Sequence, residues 1–197
     1  KKSIEEIIEL EIHRQRDKSN TNAIGYFHQY MFKYISNCEV PQHGFDVIVT
    51  QSDGTKIYVE MKNKHNTMNS SSSQKTYIGM QNQILNHPTD TCFLVETIAK
   101  RSQNIVWRCS VNNKTVACEK IRRVSMDKFY ELVTGMRNAF YLVCKQLPVT
   151  IEKLIKNDVV DTVEQDTVID ELKAKNPDLL KAIYLLAFET YNGFENL

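Results

Sequence analysis

The chain has 197 residues, of which 42% are hydrophobic and 25% are charged, so it can bury a core and resembles neither a disordered chain nor a coiled coil. No apolar run approaches the roughly 20 residues that span a bilayer, and the charged N-terminus lacks a signal-peptide core; we expect a soluble intracellular protein with no membrane partner. The formal net charge of +1 does not by itself indicate a nucleic-acid ligand, and the five scattered cysteines show no zinc-ligand spacing.

The first third of the chain predicts two helices followed by a β-hairpin. Isoleucines at helical spacing predict an amphipathic helix over SIEEIIELEIHRQRD, and a second helix should run from about Asn22 to Ile35. FDVIVTQ and KIYVEMKN have strand-like composition, and Asp53-Gly54 between them is a pair favoured in two-residue hairpin loops. The polar stretch HNTMNSSSSQ that follows predicts a loop.

The rest of the chain predicts further strands and then helices. KTYIGMQNQILN should form a helix, TCFLVETIA, NIVWRCS and KIRRVS three strands, and MDKFYELVTG another helix. Beyond Gly135 the pattern is helical, with MRNAFYLVCKQL and TIEKLIKN as separate helices. We therefore predict an α/β (α+β) fold with a central mixed β-sheet flanked by helices. Residues 1–135 would form its core and residues 136–197 a helical region packed on the same domain.

Charge is unevenly distributed along the chain. Seven basic residues and one acid lie between Lys100 and Arg123, whereas residues 157–171 hold six acids and no Lys or Arg. This separation can present a basic face to phosphates, although two solvated faces are an equally good interpretation. If KIRRVS is a strand, Arg122 and Arg123 point to opposite faces, and at most one of them can face the same DNA.

The hairpin carries the residues with the clearest chemical potential. Strand side chains alternate between faces, so Glu60 and Lys62 point the same way, and Asp46 comes from the neighbouring strand. Two carboxylates on adjacent strands can share a hard divalent cation and leave positions for water and a phosphate oxygen. Asp46 and Glu60 would hold Mg²⁺, while Lys62 would orient or deprotonate water or stabilise the transition state.

The Glu-x-Lys pattern alone is weak. About one such triplet is expected by chance in a chain of this length, and a second one, Glu171-Leu172-Lys173, lies in a helical pattern without a preceding Asp strand. For the motif taken alone, a solvated charge pattern of Glu60 and Lys62 on an ordinary hairpin is the favoured interpretation.

The context of the motif resembles the PD-(D/E)xK nuclease superfamily, and more narrowly the type II restriction endonucleases that cut GGNCC or GGWCC sites. The residues that carry the resemblance are Arg14-Gln15, Asn22-x-x-Gly25-x-x-His28-Gln29, Gly44-Phe45-Asp46 and the run EMKNKHNTMN from Glu60 to Asn69. Phe45 stands where the superfamily pattern has proline, a tolerant position because only the carboxylate next to it binds metal.

The resemblance implies a restriction-endonuclease-like core and hydrolysis of double-stranded DNA with Mg²⁺ as cofactor. It also implies a homodimer acting on a pseudopalindromic site in the cytoplasm of a prokaryotic cell, paired with a cognate DNA methyltransferase. On composition alone the segment after Lys62 would be an ordinary solvated loop; the resemblance instead makes it a DNA-contacting segment. The DNA-contacting candidates are Lys64, His65, Asn66, Asn69, Ser70 and Lys75.

Three residues outside the hairpin are possible accessories. Glu11 would supply a further carboxylate near the metal, or belong to a solvated helix face. Gln29 and His28 would contact the substrate or the residues that bind metal, with a hydrogen-bonded core histidine as the alternative for His28. Two other functions stay open from the residues alone: a structure-specific or repair nuclease on the same core, and a non-catalytic DNA-binding module.

Overall fold

The computed structural model describes residues 26–65 and 68–156, together with a few isolated positions. Two compact units divide the chain, one formed by Asn22–Val149 and the other by Lys1–Thr21 with Thr150–Leu197. The helices predicted over residues 3–17 and beyond residue 157 lie outside the described residues apart from isolated positions, and the boundary after Gly135 stays a prediction. No helix among the described residues is long and apolar enough to cross a membrane.

A six-stranded mixed sheet forms the centre of the first unit. Its strands are β1 (Cys38–Glu39), β2 (Val47–Thr50), β3 (Lys56–Lys64), β4 (Thr91–Ile98), β5 (Asn104–Val111) and β6 (Lys114–Ser125). They lie in the order β1-β2-β3-β4-β6-β5. The pairs β1–β2, β2–β3 and β5–β6 are antiparallel, whereas β3–β4 and β4–β6 are parallel.

Helices flank this sheet, which confirms the predicted mixed sheet with helical layers. They are α1 (residues 26–31), continued by a 3-10 turn at Phe32–Tyr34, and α2 (Ser70–Asn86), α3 (Met126–Thr134) and α4 (Ala139–Lys156). The two helices predicted after residue 135 are instead one helix, α4, which continues through Pro148. A proline removes one backbone hydrogen bond and kinks a helix, but the helix continues where neighbouring turns hold.

Each face of the sheet has its own core. On the face we call the α3 face, Phe129 and Tyr130 pack with strand residues such as Val59, Val95 and Val124. The opposite face, the α2 face, carries a second cluster, formed by Tyr77 and Met80 of α2 with Cys92, Leu94, Trp107, Cys109 and Ile121. Alternation along the strands explains this division, since consecutive residues point to opposite faces.

The serine run predicted as a loop is the first turn of α2. Asn69 precedes the helix in an extended conformation, and its side-chain oxygen accepts a hydrogen bond from the backbone N–H of Ser72 at 2.8 Å. Such a cap satisfies one of the free N–H groups at a helix start. The polar sequence therefore begins a helix, because the cap and the buried Tyr77 and Met80 further along compensate for the weak helix propensity of serine.

The turns of the two hairpins differ from their prediction. The β2–β3 loop has three residues rather than two: the Gly54 N–H donates to Gln51 O at 3.0 Å, and the Gln51 N–H donates to Thr55 O at 2.9 Å. Gly54 has φ +84°, as such a loop requires. The β5–β6 hairpin turns at Asn112 and Asn113, both with positive φ, so β6 starts six residues before the predicted strand KIRRVS.

Candidate active site

Asp46, Glu60 and Lys62 lie together on the α2 face, beside the edge of the core under α2. Asp46 directly precedes β2, and its N–H donates to Val59 O at 2.9 Å, which continues the β2–β3 ladder by one step. Val47 and Val59 face the α3 side, so alternation turns Asp46, Glu60 and Lys62 to the other side. The predicted arrangement of two carboxylates and one ammonium on adjacent strands is present.

Close contacts hold the three side chains in place. Lys62 Nζ donates to Glu60 Oε1 at 2.7 Å, and both side chains are about three-quarters buried. Asp46 Oδ2 accepts the Met61 N–H at 2.7 Å, so the backbone of β3 positions this carboxylate. Gln29 Nε2 donates to the backbone oxygen of Asp46 at 3.3 Å, which ties α1 to the start of β2.

Electrostatics favour a cation at this position. Burial raises the pKa of Asp46, the charge of Glu60 raises it further, and the Met61 N–H and Lys62 partly offset both effects. A carboxylate pair under mutual repulsion is stabilised in its charged form when a cation binds between the two groups.

The donors suit a hard divalent ion. Asp46 and Glu60 each use one oxygen in the hydrogen bonds described above, which leaves one oxygen on each carboxylate for a metal. Among the described residues no group of three His, Cys, Asp or Glu side chains could hold a metal. Mg²⁺ is commonly held by one or two carboxylates and keeps several water molecules, so two oxygens from the protein fit it.

A buried ion pair next to this site was not predicted. Glu96 on β4 lies opposite Lys62 on β3, is 1% exposed, and forms a salt bridge with Arg123 of β6. Arg123 also donates to the His65 backbone oxygen at 3.0 Å. The sequence does contain a signal for this pair, because an acidic residue inside the apolar run TCFLVETI is seldom buried without a partner.

Arg122 and Arg123 point to opposite faces, as predicted. Arg122 donates to Asn104 O at 2.9 Å and lies near the exposed Glu119, whereas Arg123 faces the α2 side. The basic stretch that contains them forms mainly the β5–β6 hairpin, and the acidic stretch of residues 157–171 lies outside the described residues.

The predicted DNA-contacting residues have different surroundings. Lys64 is exposed at the end of β3, and Ser70 and Lys75 are exposed on the first turns of α2. Asn69 is the exposed cap of α2, and Asn66 lies outside the described residues. His65 is partly buried, its N–H donates to Ile98 O at 3.2 Å, and its Nδ1 is buried without a hydrogen-bond partner among the described residues.

The three accessory candidates also have different surroundings. Gln29 touches the backbone of Asp46, as described above, while Glu11 lies outside the described residues. His28 is buried on the α3 side, where its Nδ1 lies 3.2 Å from Tyr130 Oη and its ring packs against Phe140. Burial lowers the pKa of His28. These contacts match the core histidine that was the alternative interpretation.

Comparison with known proteins identifies the family. The family model described as Eco47II restriction endonuclease matches residues 1–156. The chain belongs to the Eco47II restriction endonuclease family. The matched range contains α1, the whole sheet, and the cluster of Asp46, Glu60 and Lys62.

The chain is also similar to the type II restriction enzyme Sau96I from Staphylococcus aureus. The two are 28% identical over 154 residues, which cover 74% of this chain and 59% of the relative. The chain thus spans about three-fifths of the length of this relative. The resemblance noted to type II restriction endonucleases is confirmed.

Proposed function

We propose that the protein is a Mg²⁺-dependent type II restriction endonuclease that hydrolyses phosphodiester bonds of double-stranded DNA. The observation that carries the proposal is the cluster of Asp46, Glu60 and Lys62 on adjacent strands, in a chain of the Eco47II restriction endonuclease family. The free oxygens of the two carboxylates, and the repulsion between the charges of Asp46 and Glu60, support a divalent cation at this position.

Each residue has a separate role in the proposed reaction. Asp46 and Glu60 would hold Mg²⁺, which when bound neutralises phosphate charge and lowers the pKa of water. The Met61 N–H keeps the Asp46 carboxylate in place. Lys62, which donates to Glu60 at 2.7 Å in the absence of metal, would orient the attacking water and stabilise negative charge on the phosphate.

The substrate and the assembly follow from the resemblance. A short pseudopalindromic site of the GGNCC or GGWCC type, read by a homodimer, would allow the two subunits to cut both strands symmetrically. Lys64, His65, Asn66, Asn69, Ser70 and Lys75 are the proposed DNA contacts, with Gln29 and Glu11 as accessories. The proposal includes a cytoplasmic location in a prokaryotic cell and a cognate DNA methyltransferase that protects the same site.

Near-isosteric variants test the site. Asp46→Asn, Glu60→Gln and Lys62→Met should each lower the Mg²⁺-dependent cleavage rate about 100-fold or more while binding to DNA is retained. Glu171→Gln, in the second Glu-x-Lys triplet of the chain, is the matched control and should cleave like wild type. Equal activity of Glu60→Gln and Glu171→Gln would refute the assigned site.

Sequencing the ends of the products tests the substrate. Discrete fragments that end at one short pseudopalindromic sequence support the proposal, and their ends give the cut position. Preference for branched or damaged duplexes over intact plasmid would indicate a structure-specific nuclease. Binding to DNA without Mg²⁺-dependent cleavage would indicate a non-catalytic module, and either outcome contradicts a restriction endonuclease.

A further inference from the structure

Glu96 is a buried acid, and only one of its two carboxylate oxygens has a hydrogen-bond partner among the described residues. Its Oε1 accepts hydrogen bonds from Nε and NH2 of Arg123, but its Oε2 is buried without a partner among the described residues. Leaving a buried acceptor without a hydrogen bond is unfavourable, because the group has lost its water and gained no partner. Native proteins usually satisfy such groups, so Oε2 is available to accept a hydrogen bond in another state of the protein.

Lys62 is a cationic candidate for that partner by its place in the sheet. It is the register partner of Glu96 in the parallel β3–β4 pair, so their backbones are about 4.8 Å apart. Both side chains lie on the α2 face. Glu96 is two residues from Leu94 and Lys62 is four residues from Tyr58, and residues an even number apart on a strand share a face; Leu94 and Tyr58 belong to the α2-face cluster. The Lys62 ammonium has three N–H donors, and Glu60 Oε1 is its acceptor in the structure described here.

A divalent cation on Glu60 would compete with Lys62 for the same carboxylate. The cation withdraws negative charge from Glu60 and so weakens the attraction that holds the ammonium at Oε1. We infer that Glu96 is a positioning residue which accepts the Lys62 ammonium through Oε2 when Asp46 and Glu60 bind the metal. This inference rests on the proposed function, since it requires the metal site.

Arg123 binds only one oxygen of Glu96, which leaves the other oxygen free to accept the Lys62 ammonium. Its two donors bind Oε1 and leave Oε2 without a hydrogen bond among the described residues. The positive charge of Arg123 compensates for the burial of the Glu96 carboxylate. The same guanidinium holds the His65 backbone oxygen, which links the end of β3 to this arrangement.

A double-mutant cycle in metal binding tests the inference without DNA or catalysis. Mn²⁺ binding to the full chain would be measured by electron paramagnetic resonance for wild type, Glu96→Gln, Lys62→Met and the double variant. Glu96→Gln should weaken Mn²⁺ binding about tenfold when Lys62 is present. In the Lys62→Met background the same change should have a several-fold smaller effect, because no ammonium then needs a second acceptor.

A purely structural role for Glu96 predicts a different result. The factor would then be equal in both backgrounds, and equality would overturn the inference. Asp46→Asn separates this failure from failure of the metal site. If Asp46→Asn leaves Mn²⁺ binding unchanged, both the proposed metal site and the inferred role of Glu96 are wrong. If it abolishes binding while the cycle shows no coupling, only the role of Glu96 is wrong.

A measurement on wild-type protein serves if Glu96→Gln does not fold. The ¹⁵N signal of Lys62 Nζ, assigned by its loss in Lys62→Met, would be followed during a Mg²⁺ titration. It should shift and remain visible, because a carboxylate still protects the ammonium from exchange with water. Disappearance of the signal on Mg²⁺ binding would show that the ammonium is released to water, which contradicts the inference.

Discussion

Replacing Arg123 with methionine should destabilise the protein by about 3 kcal/mol. The methionine keeps the aliphatic part of the side chain but removes both donors to Glu96 Oε1, leaving a carboxylate that is 1% exposed without its counter-charge. Breaking a buried ion pair from one side typically costs about 3–5 kcal/mol. The Arg123 side chain is 31% exposed, so water can reach part of the vacated space and the lower end of the range applies.

Urea unfolding of the full chain measures this cost, and two further variants sharpen it. Adding Glu96→Gln to Arg123→Met should recover about 2 kcal/mol, because the buried charge that lacked a partner is removed. Arg122→Met is the control at exposed contacts: it removes hydrogen bonds to Asn104 and Glu119 and a 3.9 Å ion pair with Glu119, which is 88% exposed. Because water can replace these partners, the loss should cost about 1 kcal/mol. Equal losses for Arg122→Met and Arg123→Met would refute the buried-pair reasoning, as would a double variant no more stable than Arg123→Met.

The remaining predictions concern charge, capping and backbone conformation. Without metal, Asp46→Asn should unfold at a higher urea concentration than wild type near neutral pH, because burial and Glu60 raise the pKa of Asp46 in the folded state; the difference should vanish below the unfolded value of 3.8. Asn69→Ala should cost about 1 kcal/mol by removing the cap of α2, whereas Asn69→Asp should keep it, as thermal melting can show. Gly54→Ala should cost about 1–2 kcal/mol in urea unfolding because φ is +84°, a conformation that alanine disfavours. No atom lies within 4 Å of the added carbon, so the cost comes from the backbone conformation and not from a clash. Gly79→Ala, in the interior of α2 and equally free of contacts, should instead stabilise the protein by about 0.5–1 kcal/mol, and a cost there would contradict the helical propensity argument.

The candidate site was predictable because it depends mainly on local rules. A strand places residues two apart on one face, and a hairpin places its two strands side by side, so Asp46, Glu60 and Lys62 could be grouped from their positions alone. The same alternation placed Arg122 and Arg123 on opposite faces. Glu171 and Lys173, which have the same triplet spacing, lacked the strand context, and only that context distinguished the two motifs.

Local rules failed where several weak preferences compete. The serine run after Asn69 is polar enough for a loop, yet the cap and the packing of Tyr77 begin a helix there. MRNAFYLVCKQL and TIEKLIKN were predicted as separate helices, but α4 continues through Pro148. In both cases the sum of packing contacts over the whole helix outweighs the preference of single residues, and that sum depends on neighbours distant in sequence.

The sequence by itself determined the hairpin and the alternation that brings Asp46, Glu60 and Lys62 to one face, because these follow from a period of two residues along each strand. The family resemblance, rather than the pattern, selected these three residues as the candidate site. Only the tertiary structure decided that Glu96 faces Lys62 and that Arg123 holds one oxygen of its carboxylate. That arrangement depends on the parallel register of β3 with β4 and of β4 with β6, which connects segments separated by a helix and a hairpin. Register of this kind is set by packing on both faces of the sheet, and no local pattern encodes it.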